Sequence, residues 1–135
     1  MARIDYAFVA DFAKVEPSGT LTVVGASWTF VTATEFPSAH RMAVAGRVRA
    51  ALSEGAVELL IAVQGPNDSF RIEGGATLVS TDAAAPYGPD NAVGYLFALE
   101  LTVPLLEEGL YEIFVDLPEH DEHRRLAFEA RLPPA

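Results

Sequence analysis

Apolar and polar residues alternate in steps of two along most of this chain, and turn-forming residues break the alternation about every ten residues, the strand spacing of sandwiches and barrels. The closing segment shows it most clearly. Tyr111, Ile113, Val115 and Leu117 alternate with Glu112, Phe114 and Asp116. Pro118-Glu119-His120-Asp121-Glu122 interrupts, and Leu126, Phe128, Ala130 and Leu132 then alternate with Arg125, Ala127, Glu129 and Arg131. Successive side chains on a strand point to opposite faces, so this pattern describes two strands with one buried face each. Repeated along 135 residues, it predicts one all-β domain: a two-sheet antiparallel β-sandwich of about eight strands. A closed or partly open β-barrel is the alternative.

The first strand is expected over residues 3–14, with Ile4, Tyr6, Phe8, Ala10 and Phe12 on one face and Arg3, Asp5 and Asp11 on the other. Pro17-Ser18-Gly19 turns the chain. The second strand, over 20–31, is apolar on both faces around Trp28 and reads as a central or doubly covered strand. Residues 32–40 lack alternation and form a crossing loop. The third strand, over 41–52, sets Met42, Val44, Gly46 and Val48 against arginines. Val57, Leu59, Ile61 and Val63 give the fourth strand its inner face, and Gly65-Pro66-Asn67-Asp68-Ser69 is a strong turn. A fifth strand follows from Phe70, with a bend or bulge expected at Gly74-Gly75. Residues 81–92 make the longest irregular stretch. The sixth strand carries Tyr95, Phe97, Leu99, Leu101 and Val103, and the pattern leaves room for helix only as a single turn, near 104–108. Trp28, Leu59, Ile61, Phe97, Leu99, Tyr111 and Ile113 are the expected core.

Composition removes several functions. The chain has no cysteine, hence no thiol nucleophile, thiolate metal site or disulfide scaffold. Asp5 and Asp11 interrupt the only early apolar run, so no secretory signal is read. The uncharged stretch 17–34 is rich in Thr, Ser, Gly and valine, which suit a strand better than a membrane helix. A soluble, cytoplasmic protein is the expectation. Net charge is −10 and the isoelectric point is near 4.5, which disfavours nucleic acid. Arg41, Arg47 and Arg49 share one strand face. They read as an exposed face paired with neighbouring glutamates, a basic stripe being the alternative.

The candidate sites are sparse. His120, Asp121, Glu122 and His123, with Asp116 and Glu119 close by, form the one histidine cluster. Imidazoles and a carboxylate bind zinc, so His120, His123 and Asp116 are the candidate metal ligands. Their spacing is that of a solvated turn and not of a helical H-E-x-x-H site. Asp68, Asp82, Asp90 and Asn91 stand in loops that could share one end of a sandwich and offer oxygens to calcium. His40 has Ser38 and Thr34 before it, but no G-x-S-x-G elbow is present. Asp5, Asp11 and Glu100 could be drawn on for acid–base work and read instead as solvent-face charges. Trp28, Tyr87 and Tyr95 could stack on a sugar or peptide, Tyr87 being the loop residue of the three. None of these implies a cofactor.

Asp5-Tyr6-Ala7-Phe8-Val9-Ala10-Asp11-Phe12, then Gly19-x-Leu21, Gly25-Ala26-x-Trp28, Pro37-x-x-His40 and Gly109-x-Tyr111-x-Ile113-x-Val115-Asp116 occur in that order. The ordered set resembles a family of small actinobacterial proteins catalogued as a domain of unknown function. That resemblance covers essentially the whole chain. It implies a small β-sandwich, no established activity and no catalytic residues.

Half of the residues are hydrophobic and mean hydropathy is +0.22, more than one core of this size needs. Val24, Trp28 and Phe30 oppose Leu21, Val23 and Val31, and Leu96 and Ala98 oppose Tyr95, Phe97 and Leu99. Those second faces need a cover, and a homodimer is the commonest one. The expected function is therefore non-catalytic binding or self-association. The alternatives are a metal-dependent or hydrolytic enzyme using loop residues, and a calcium- or carbohydrate-binding module.

Overall fold

A computed structural model of the protein describes residues 1–81 and 84–134. Its strands are β1 (Arg3–Val15), β2 (Leu21–Ala26), β3 (Phe30–Thr32), β4 (Ser38–Ala50), β5 (Val57–Gln64), β6 (Arg71–Leu78), β7 (Val93–Leu105), β8 (Gly109–Leu117) and β9 (Glu122–Arg131). They form a four-stranded sheet in the order β2-β1-β4-β7 and a five-stranded sheet in the order β3-β9-β8-β5-β6. The two sheets stay separate, so the molecule is a sandwich and not a barrel.

The closing hairpin follows its sequence pattern. Glu112 pairs with Ala127 and Tyr111 with Phe128 across β8 and β9, and Tyr111, Ile113, Val115 and Leu117 are buried. Val57, Leu59, Ile61 and Val63 lie beside them on β5 in the same sheet, and Met42, Val44, Val48, Tyr95, Phe97 and Val103 close the core from the other sheet. Fully burying one such aliphatic side chain contributes roughly 1.5–3 kcal/mol. The Tyr111 hydroxyl stays satisfied at the rim. It donates to the Glu107 carbonyl at 2.7 Å and accepts from the Leu106 amide at 3.1 Å, tying down the β7–β8 turn.

Five local expectations change. Asp5 is an extra residue in β1: Ile4 pairs with Val48 but Tyr6 pairs with Arg47. One inserted residue flips every side chain beyond it. Ile4, Ala7 and Val9 therefore face the core, while Tyr6, Phe8 and Phe12 turn outward. The expected second strand is two edge strands. It breaks at Ser27, whose φ is 65°, so that β2 joins β1 in one sheet and β3 crosses to β9 in the other, pairing in parallel. Trp28 sits at that corner, half-buried against Phe128 and His40, and Leu99 is likewise only partly buried. Gly74 and Gly75 pair with Ile61 and Leu60 in unbroken register, without a bulge. No helix forms at 104–108. The short 3₁₀ turns are at Leu52–Glu54 and Pro66–Asp68 instead.

Gly46 shows why the β1 bulge is tolerated. A Cβ there would overlap the Tyr6 carbonyl oxygen and lie 2.8 Å from the Phe97 ring. Only glycine lets β1 and Phe97 approach β4 from both sides.

Candidate interaction surface

The flipped register of β1 gives the outer face of the four-stranded sheet its character. Residues paired directly across strands share a face. Phe8 lies beside Ala45 and Ala10 beside Ala43 on β4; Ala45 lies beside Ala98 and Arg47 beside Leu96 on β7. On the other flank Phe12 lies beside Val24, and Ala10 beside Ala26. The face thus has an aromatic ridge along β1 (Tyr6, Phe8, Phe12) next to small side chains on β4 and β7, of which Ala43 and Ala45 are buried and Ala98 is partly exposed. Phe12 is 50% exposed, Val24 56% and Tyr6 37%. The Tyr6 and Phe8 rings stack at 6.1 Å, and a depression of about 350 Å³ opens between Phe12, Arg41, Ala43 and Glu100.

The charges around this face are paired. Arg41 bonds Glu100. The Arg47 guanidinium donates to Asp5 at 2.8 Å and lies 5.0 Å from the centre of the Tyr6 ring. Arg49, only 7% exposed, donates to Asp90 and, at 2.6 Å, to the Tyr87 carbonyl; its guanidinium lies 3.8 Å from the Tyr87 ring centre. Arg3 reaches the same Asp90 carboxylate at 3.3 Å. The Arg49 hydrogen bond holds the Asp90 carboxyl down at about 2, and the Asp5 hydrogen bond raises Arg47. The three arginines of β4 are therefore paired, but with one glutamate and two aspartates rather than glutamates alone, and Arg49, buried and not exposed, pins the 87–92 turn to the sheet. Neutralised guanidinium groups offer phosphate little.

The other candidate residues are scattered. His123 lies between Asp116 at 2.7 Å and Asp121 at 3.0 Å, and the Asp116 hydrogen bond, then that of Asp121, raises its pKa. His120 turns away, its Nδ1 accepting from the Ala2 amide at 3.2 Å. Glu122 accepts from the Ile4 amide at 2.8 Å. The structure thus joins His123 to Asp116 but not to His120, and among the described residues no group of three His, Asp or Glu side chains is placed to hold a metal. The proposed calcium set is also split. Asp90 and Asn91 precede β7, whereas Asp68 lies in the turn whose Asn67 bonds Glu107 beyond the end of β7. Thirteen strand residues separate those ends, roughly 40 Å at the usual rise. Asp82 lies outside the described residues.

His40 makes no hydrogen bond to Ser38 or Thr34, and its Nε2 is buried without a partner among the described residues, as is Trp28 Nε1. Burial lowers the His40 pKa, against an opposing pull from Asp11. The imidazole is packed edge-on against Trp28 rather than aimed at a hydroxyl. Tyr95 is buried and donates to the Gly55 carbonyl at 3.1 Å. Trp28 is in the corner, and Tyr87 carries Arg49 on its ring, so the three aromatics form no shared platform.

Neither the known family models nor the curated proteins contain a match to this chain. Among the described residues no helix is long and apolar enough to cross a membrane. The outer face of the four-stranded sheet carries exposed apolar side chains, Phe12 and Val24 among them. Sequence pattern pointed to part of it, through Val24, Leu96 and Ala98. It missed Phe8 and Phe12 because nothing in Ile4-Asp5-Tyr6 marks a bulge; the available signal was Ala7 and Val9, a second apolar set out of step with Ile4, Tyr6, Phe8 and Phe12.

Proposed function

We propose that this chain is a non-catalytic β-sandwich protein that works as a homodimer, with two copies joined through the outer faces of their four-stranded sheets. The observation that carries this reading is the contiguous apolar face on which Phe12 and Val24 are exposed and Phe8, Leu96 and Ala98 partly so, with Ala43 and Ala45 buried between them. A two-fold interface needs one patch that complements itself. Here the ridge on β1 stands higher than the small side chains beside it on β4 and β7, so rotation about an axis between them sets each copy's ridge over the other's Leu96 and Ala98. A standard interface would bury about 800 Å² per subunit.

Charge supports the same choice. Two copies each carrying −10 repel one another, so association is best placed where local charge cancels. Arg41 with Glu100 and Arg47 with Asp5 leave this face neutral at its rim. In this reading the protein is soluble and cytoplasmic, uses no cofactor, and binds neither nucleic acid nor membrane. Static light scattering across the micromolar range tests it. A mass of twice 14.5 kDa is expected, and 14.5 kDa throughout would overturn it.

A further inference from the structure

On one side of the molecule both sheets end in a strand with a free edge, β7 in the four-stranded sheet and β6 in the five-stranded one. Between the sheets there, a cleft of about 340 Å³ is lined by Ile61, Val63, Ile72, Gly74, Leu99 and Leu101, among others. Val63 pairs with Ile72 and Ile61 with Gly74, so these four share the inward register. Ile72 faces inward and is still 46% exposed. The inter-sheet layer is unfilled at this point.

Gly74 is the reason. Its backbone lies outside the left-handed region, and a Cβ added there would meet no atom within 4 Å. Its neighbour is different: a Cβ on Gly75 would lie 2.7 Å from the Leu59 carbonyl oxygen. The fold thus requires glycine at 75 and has no use for it at 74, where it weakens the strand and leaves the cleft open. A glycine in a strand often marks close approach of a ligand or another backbone.

From the cavity and this glycine together, we infer that the cleft binds a small, uncharged, mainly aliphatic molecule. The inward register of the lining carries no charged side chain. The carboxylates at the mouth are occupied, Glu73 by Arg71 at 3.1 Å and Glu100 by Arg41, so a charged ligand would find no free counter-charge. The unpaired edges of β6 and β7 offer backbone N–H and C=O groups to a hydroxyl or amide head. The volume is at the lower end of the range for small-molecule pockets. This cleft opens at the side of the sandwich, and its occupation does not depend on the dimer.

The test is titration of the full ¹⁵N-labelled chain with 1-octanol, followed by amide shifts, with octanoate as the charged counterpart. Saturable shifts are expected at residues 72–75 and 99–103, with octanoate at least tenfold weaker. Gly74→Leu fills the cleft and is expected to keep the wild-type circular dichroism, with a melting temperature no lower than that of the wild type, while losing affinity at least tenfold. Ile72→Phe provides a second, independent block should the first variant fold poorly. Absence of saturable shifts at those residues, octanoate binding as tightly as octanol, or undiminished octanol binding by a folded variant would each overturn the inference.

Discussion

His40 is the residue whose titration bears most directly on stability. Burial lowers its folded pKa below the ordinary 6.5, with Asp11 opposing that shift. As pH falls, the unfolded chain takes up the proton first. The stability His40 provides in its neutral form is therefore present above 6.5 and lost progressively as pH falls from there through the folded value. His123 has the opposite sign: its raised pKa gives stability below 6.5 that is lost as pH rises through the folded value. That pair is exposed and screened, so His40 is expected to dominate. Asp90, held at about 2, keeps its pair with Arg49 and loses that contribution only as pH falls from about 3.8, the ordinary value. Melting temperature is thus predicted to drop between pH 7 and 5. In His40→Phe, which keeps an aromatic ring against Trp28, the drop should be smaller; an unchanged slope would show that His40 does not titrate as described.

The strands were legible wherever one face is buried and the partner strand keeps step. That holds for β5, β8 and β9, whose inner residues are those read from alternation. It fails where a single residue changes register or sheet without turn chemistry. Asp5 inserts itself into β1 with an ordinary side chain, and Ser27 takes a positive φ in a position that glycine would have advertised. Conversely, Gly74-Gly75 looks like a bulge and is a regular ladder. The candidate face was half visible for the same reason: β2 and β7 showed their second apolar faces, whereas the β1 ridge emerges only once the bulge is known. The β7–β8 turn supplies a prediction at this scale. Tyr111→Phe removes the hydroxyl that bridges Leu106 and Glu107 while keeping the buried ring, and should cost about 1–2 kcal/mol in urea unfolding. A change within error would mean that water serves the turn equally well.

For the whole molecule, an acidic sandwich presents one outer sheet face that is apolar in the middle and charge-neutral at its edge. The fold leaves Phe12 and Val24 in water although they lie side by side on adjacent strands. Exposed substitutions of this kind usually alter stability by less than about 0.5 kcal/mol, so an added charge there should act on association and not on folding. The most direct measurement is sedimentation equilibrium of the wild type beside Phe12→Arg at micromolar concentration. The wild type should sediment at twice 14.5 kDa and the variant at the monomer mass, with the melting temperature of the variant's sandwich retained at high dilution. A folded Phe12→Arg protein that remains dimeric, or a wild type that is monomeric under the same conditions, would contradict pairing through this face.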